Sequence, residues 1–139
     1  MIIKELRLCN FLVFPGEQEL AFPTEGESNL VVILAPNNTG KTSVIRALKF
    51  LFYGHLPDCT EATAYRLIND RERARTAVMA EASGWVEITI VRDEEDIHVR
   101  RSIRARKAGK DQWQPPEISL FRVERAAKTW LIQIGRAHV

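Results

Sequence analysis

A glycine, a lysine and two hydroxyl residues follow one another at Gly40, Lys41, Thr42 and Ser43, immediately after an asparagine-containing loop. These residue types suit phosphate binding. Lysine supplies positive charge for phosphate oxygens, a threonine hydroxyl can ligand Mg²⁺, and glycine lets the backbone approach an anion closely. The spacing therefore predicts a polyphosphate site in which Lys41 faces the phosphates and Thr42 holds Mg²⁺.

Two elements must position this loop. A β-branched run that is apolar on both faces precedes it at residues 30–34, as is typical of a central parallel strand covered by helices. Apolar residues recur at helical spacing after it, from Val44 to Phe52, and Gly54 stands where a helix C-terminus favours a left-handed residue. The loop is thus predicted to join a strand to the N-terminus of a helix, whose first N–H groups create a positive potential.

The loop matches the Walker A pattern G-x-x-x-x-G-K-S/T except at its first position, where Ala35 replaces glycine. Asn38 tolerates a positive φ, but a positive φ at Ala35 would cost about 1 kcal/mol. Lys41 is also the predicted catalytic residue, and Thr42 is the predicted metal ligand. The residues predicted to contact the cofactor are Pro36, Asn37, Asn38, Thr39, Gly40, Lys41, Thr42 and Ser43.

Length and composition limit the classes of protein to which this chain can belong. A chain of 139 residues is one domain or part of one, and a net charge of +2 does not establish a nucleic-acid partner. Apolar stretches fall short of the roughly 18 residues that a membrane-spanning helix needs, and the N-terminus lacks the pattern of a signal peptide. We expect a cytoplasmic protein with no membrane segment, in which Cys9 and Cys59 are reduced thiols.

The remaining pattern predicts a largely antiparallel β portion around the strand, loop and helix. Residues 2–11 and 17–22 are expected to form paired strands joined by a turn at 14–17, and residues 61–82 one or two surface helices that end at Ser83 and Gly84. Alternation at 86–91 and 97–99 predicts a β-hairpin, and 118–123 a further strand. The acidic turn from Asp93 to Asp96 superficially resembles a Walker B motif, but the hairpin pattern is the better interpretation.

Six basic residues follow within eleven positions of the second hairpin strand. They are Arg100, Arg101, Arg104, Arg106, Lys107 and Lys110. Two interpretations stay open for segment 100–110, namely contact with DNA phosphates, or a solvated strand edge that discourages further pairing.

The order strand, Asn10-Phe11, second strand, Walker A loop and helix ending at Gly54 resembles the N-terminal lobe of an SMC-like ABC ATPase head. The DndD-type ATPases of DNA phosphorothioation and the SbcC-type repair ATPases are both similar, and the segment from Leu67 to Asp70 supports the former. The resemblance implies an α/β P-loop NTPase fold, ATP and Mg²⁺ as cofactors, and an ATP hydrolase in the full-length protein. It also implies a coiled coil, a second head in a homodimer, DNA, and a nuclease or DNA-modification partner.

One departure and two rival interpretations accompany this resemblance. Relatives often carry a basic residue after the Asn-Phe pair that helps to hold the nucleotide, whereas this chain has Leu12 and Val13. The rivals are a small self-contained P-loop kinase or GTPase that uses the acidic turn, and a degenerate P-loop module that no longer binds ATP.

The sequence also suggests how far the domain extends. Residues 1–133 are expected to form a truncated lobe that is inactive in hydrolysis on its own. The resemblance puts the signature motif and the acidic pair beyond residue 139. Residues 134–139 resemble a translated sequencing adapter and are expected to be an artefact.

Overall fold

The computed structural model describes residues 2–23, 40–125 and 128–137, with side chains described as far as Leu120. These residues form an antiparallel sheet in the order β2-β1-β3-β4-β6-β7, with a short β5 paired to β4. The strands are β1 (Ile2–Phe11), β2 (Phe14–Ala21), β3 (Glu81–Arg92), β4 (Glu95–Gly109), β5 (Gln112–Trp113), β6 (Glu117–Arg125) and β7 (Lys128–Ala137). The helices are α1 (Lys41–Tyr53), a 3-10 turn (Ala64–Leu67) and α2 (Asp70–Arg75).

Strand alternation gives the sheet one apolar face. In the pairing of β1 with β3, Leu6 lies opposite Ile88 and Leu8 opposite Val86, and all four side chains are buried. Because successive side chains of a strand point to opposite faces, these residues share the face on which α1 packs. The core therefore lies between the sheet and the helix.

Helix α1 confirms the helical prediction for this segment. Ala47, Phe50 and Leu51 are buried, and the ring of Phe50 packs on that of Phe11 with centroids 5.1 Å apart. The helix ends as predicted at Gly54, which has a left-handed φ of 79° and donates its N–H to the Phe50 carbonyl at 2.8 Å. Only a residue without Cβ adopts this conformation readily.

A buried arginine fastens the C-terminal end of α1 to the sheet. Arg101 of β4 is 8% exposed, and its Nε donates a hydrogen bond to the Leu51 carbonyl at 2.9 Å. A Cβ added at Gly54 would lie 2.9 Å from Arg101 Nη1, so the guanidinium fills the space beside the helix end. Burial lowers the pKa of Arg101 from its ordinary value, but a guanidinium stays protonated at neutral pH. Its charge therefore faces the negative end of the helix.

The prediction of helices over residues 61–82 was only partly right. Those residues form the short 3-10 turn and α2, and β3 already begins at Glu81. Gly84 lies inside this strand rather than at a helix end. A Cβ there would lie 2.5 Å from the Asn10 carbonyl oxygen, so the close approach of β1 requires glycine at this position. Pairing with β1 and β4 overrides the helical composition of this region.

The first hairpin has its turn three residues earlier than predicted. Phe11 pairs with Phe14, so Leu12 and Val13 form the turn, and β2 includes Pro15. Proline is tolerated there because β2 lies at the edge of the sheet.

The second hairpin is confirmed, since Arg92 pairs with Glu95 around Asp93 and Glu94, whose φ values of 52° and 65° are typical of a tight hairpin turn. The predicted strand at 118–123 is confirmed as part of β6. Strand β7 was not predicted and includes residues 134–137, whose origin as an adapter remnant stays a prediction. The predicted central strand at 30–34 lies outside the described residues. Within the described ranges, no helix is long and apolar enough to cross a membrane.

The role of Arg101 is testable against a residue of the same type on the same strand. We expect Arg101→Ala to lower the free energy of unfolding by about 2 kcal/mol, because it leaves the Leu51 carbonyl unpaired and removes a cation from a helix C-terminus. Arg106→Ala, which changes an exposed side chain, should stay within about 0.5 kcal/mol of the parent chain. Urea denaturation measures both values, and equal losses in the two variants would contradict the assignment.

Candidate phosphate-binding site

The N-terminus of α1 has the local structure that an anion site requires. Gly40 precedes the helix with φ 103° and ψ 5°, and its carbonyl accepts the first helical hydrogen bond from Val44 N at 3.0 Å. The first turn of α1 contains no acidic residue, and its N-cap residue, Gly40, has no side chain that could accept a capping hydrogen bond. The positive end of the helix is therefore not neutralised by this turn.

Of the eight predicted contact residues, four lie in this turn. Lys41 and Thr42 are exposed at the start of the helix. Ser43 is only 8% exposed and lies on the buried stripe of α1 together with Ala47, one turn later. Pro36, Asn37, Asn38 and Thr39, together with Ala35, lie outside the described residues.

The turn between β1 and β2 abuts the start of α1. A Cβ added at Gly40 would lie 2.9 Å from Phe14 Cζ and 3.3 Å from Val13 Cγ2. Gly40 is thus in close contact with this turn as well as left-handed, and the Cβ of any other residue would have to displace the Phe14 ring. Val13 is 56% exposed, so an apolar side chain stands at the surface beside the helix start.

A buried segment of the chain fixes this turn from behind. Leu12 N donates to the Leu67 carbonyl at 2.8 Å, and Asn69 N donates to the Asn10 carbonyl at 2.8 Å. The Asn69 side-chain amide donates to the Leu12 carbonyl at 2.7 Å. An isolated β-bridge joins Phe11 to Ile68 between these bonds. The Asn-Phe pair and the segment from Leu67 are therefore in direct contact.

The sequence pattern of the AAA domain family AAA_23 matches residues 5–128. The chain belongs to this family. The AAA domain is a P-loop ATPase-type nucleotide-binding domain, and the family implies nucleotide and usually Mg²⁺ as ligands. No curated protein matches the chain.

The described part of the AAA domain suits a nucleotide phosphate at the start of α1. The exposed ammonium of Lys41 and hydroxyl of Thr42 stand at the positive helix end, next to a glycine with no room for a side chain. Lys41 could neutralise phosphate charge, and Thr42 could ligand Mg²⁺ that also binds the phosphates. Among the residues that the structure describes, no group of three or more His, Cys, Asp or Glu side chains could hold a metal by itself.

The acidic hairpin turn lies at the opposite end of the sheet from this site. Gly84 of β3 contacts Asn10, close to the first turn, whereas Asp93 follows the far end of the same strand. Nine residues of extended chain span roughly 30 Å. Asp93 and Glu94 are also fully at the surface. They are therefore too distant to ligand Mg²⁺ bound at Thr42, which removes the structural basis for the self-contained kinase or GTPase.

The basic segment of the AAA domain is not a solvated edge, and that interpretation was wrong. Strand β4 pairs with β3 on one side and with β6 and β5 on the other. Arg100 lies over the Trp85 ring at 3.8 Å and forms an ion pair with the 5% exposed Glu87 at 3.4 Å. Like Arg101 beneath α1, Arg100 has partners within the fold.

The remaining basic residues differ in their surroundings. Arg104 forms ion pairs with Glu81 at 3.6 Å and Glu117 at 3.7 Å. Lys107 Nζ donates to backbone carbonyls at the end of α2, 3.0 and 3.3 Å away. Arg106 and Lys110 are exposed. Composition alone could not separate these groups, because their partners come from strands and helices that are distant in sequence.

The close contact at Gly40 can be tested by substitution. We expect Gly40→Ala to lower the free energy of unfolding by about 2 kcal/mol, because the new Cβ combines an unfavourable φ with a clash against Phe14. Gly16→Ala is the matched control, since Gly16 also has a positive φ, 62°, but no atom within 4 Å of its Cβ position. Its cost should be nearer 1 kcal/mol. Thermal and urea denaturation measure both, and equal costs would show that the contact with Phe14 contributes nothing.

Proposed function

We propose that this AAA domain is the ATP-binding N-terminal part of an SMC-like ABC ATPase head that acts on DNA. The observation that carries the proposal is the meeting of two sequence features at one place. Lys41 and Thr42 start α1, and the turn that follows Asn10-Phe11 lies against Gly40 immediately before them, through Val13 and Phe14. These are the features on which the resemblance to SMC-like heads depends, and the family match supports the nucleotide.

In this proposal each described site residue has a defined role. The first N–H groups of α1 and the Lys41 ammonium bind phosphate oxygens, and Gly40 lets the phosphates approach the backbone. Thr42 ligands Mg²⁺. Ser43, which lies on the buried stripe of α1, supports the first turn rather than facing the ligand.

Hydrolysis needs more than these residues provide. A γ-phosphate must be attacked by a positioned water, and charge that develops in the transition state must be stabilised. No acidic residue stands in the first turn of α1, and the acidic hairpin turn is remote. We propose that a second copy of the head, and a lobe that carries the acidic pair, complete the site, so that this chain alone binds ATP without turnover.

The proposed partners are a second head in a homodimer, DNA, and a nuclease or DNA-modification protein. For DNA we propose a surface that includes the two basic residues exposed at the end of the basic segment. Arg106 lies on β4 and Lys110 directly follows the end of that strand, and both are exposed toward the α1 N-terminal end of the sheet, since Arg106 pairs with Glu81. Exposed cations at that end could bind backbone phosphates. The DndD-type and SbcC-type assignments both fit these features.

The role of Lys41 can be separated from a general effect of positive charge on α1. We expect Lys41→Ala to weaken Mg·ATP binding more than about tenfold, because it removes charge-assisted hydrogen bonds to the phosphates. Lys49→Ala removes another exposed lysine of the same helix, two turns away, and should change the affinity less than about twofold. Titration calorimetry measures both. Equal affinities in all three chains would refute the assignment of Lys41, and a parent chain that binds no ATP would favour the degenerate P-loop module.

DNA contact through Arg106 and Lys110 predicts a specific salt dependence. In a double variant, Arg106→Glu with Lys110→Glu, the slope of log affinity against log salt for a short duplex should fall by about 1.8, since each phosphate contact contributes about 0.9. Lys4→Glu with Arg92→Glu makes the same charge change at the far end of the sheet, where Lys4 pairs with Asp96. That control should leave the slope unchanged. An equal change in both double variants would show that only net charge matters.

A further inference from the structure

The segment from Leu67 to Asp70 carries part of the resemblance but contributes no residue to the phosphate site. Asn69, in this segment, is 2% exposed, and both its backbone and its side chain form hydrogen bonds. We propose that Asn69 is a positioning residue for the nucleotide site, which it holds in place through the turn between β1 and β2. This inference rests on the proposed ATP-binding function and adds a residue that acts behind the site.

Asn69 joins two elements through one side chain. Its Oδ1 accepts a hydrogen bond from Arg71 N at 3.0 Å and thereby caps α2. Its Nδ2 donates to the Leu12 carbonyl at 2.7 Å, and its backbone N–H donates to the Asn10 carbonyl. Aspartate or serine would cap α2 equally well, but neither has an amide group to donate to the turn. The donor and acceptor of an asparagine are therefore both in use.

The turn that Asn69 holds needs such support. Asn10 and Leu12 have φ values of 49° and 50°, in the left-handed region that residues with a Cβ rarely adopt. Leucine lacks the short polar side chain that eases this conformation. A conformation of this kind persists where surrounding bonds over-determine it, and here those bonds run from Leu12 to Leu67 and Asn69.

The turn affects the position of the site because the two are in direct contact. Phe14 directly follows the turn, and its ring lies where a Gly40 side chain would be. Gly40 in turn makes the first hydrogen bond of α1, to Val44. A turn that leaves its place would therefore free Gly40, and with it the backbone groups and the Lys41 side chain that face the phosphates.

The experiment compares Asn69→Asp with Thr76→Val in the full 139-residue chain. Asn69→Asp keeps an acceptor for the α2 cap and loses the bond to Leu12. Thr76→Val instead removes a hydrogen bond from Thr76 Oγ1 to the Glu72 carbonyl at the other end of α2, and does not touch the turn. If the variant turn occupies its native position one-tenth of the time, the apparent ATP affinity falls about tenfold. Thr76→Val should bind ATP as the parent chain does.

A second measurement reports on the backbone at the start of α1 rather than on ATP binding. Amide hydrogen exchange at residues 41–44, measured without nucleotide, should be faster in Asn69→Asp and unchanged in Thr76→Val. A role confined to α2 would affect exchange within α2 in both variants and leave residues 41–44 unaffected. Asn69→Ser, which also caps helices and lacks the amide, should repeat the result if the carboxylate of Asn69→Asp prevents folding.

The outcomes separate the two proposals. Unchanged ATP affinity and unchanged exchange at residues 41–44 in a folded Asn69 variant would overturn the positioning role while the ATP-binding function stands. If the parent chain binds no ATP, the proposed function fails, and the exchange measurement alone then decides whether Asn69 positions the start of α1. Loss of affinity to the same degree in Thr76→Val would also overturn the inference, because it would assign the effect to α2 as a whole.

Discussion

The packing of α1 across the sheet is the constraint on which the rest of the described structure depends. Phe50 packs on Phe11, and the two ends of the helix are held by different means. Arg101 of β4 donates a hydrogen bond to the Leu51 carbonyl near the C-terminal end of α1. At the N-terminal end, Val13 and Phe14 are in close contact with Gly40. A helix fixed at both ends presents its first N–H groups in a defined direction, which is what a phosphate site requires.

Local signals were sufficient for elements whose partners are close in sequence. The alternation around Asp93 and Glu94 predicted the second hairpin, and the periodicity ending at Gly54 predicted α1, because each pattern reports its own secondary structure. The start of α2 also has a local signal. Asn69 followed three residues later by Glu72 is a helix-capping pattern, and Asn69 is the N-cap of this helix.

Other features could not be predicted because they depend on register between distant strands. Whether an arginine of the basic segment is buried or exposed depends on what β3 and β6 place beside it, and a one-residue shift would exchange the two faces. Arg101 faces α1 while Arg100 faces Trp85 for this reason. The contact of Asn69 with Leu12 likewise joins residues that are 57 positions apart, and no local pattern records it. Of the predicted contact residues, Lys41 and Thr42 lie together at the helix start, and the roles assigned to them stay predictions.

The two ends of α1 differ in how their charge is balanced, and this difference bears on the site. The last turn contains no basic residue of its own, so the negative helix end depends on Arg101 from the sheet. The first turn contains no acid and does contain Lys41, so two positive contributions stand together at the other end. Such an arrangement is unfavourable for the helix alone and becomes favourable when an anion binds. A ligand that binds only the folded chain stabilises it by mass action, so an anion at the first turn offsets the electrostatic cost of placing these two positive contributions together. Phosphate recognition and the stability of α1 are therefore coupled through the same N–H groups.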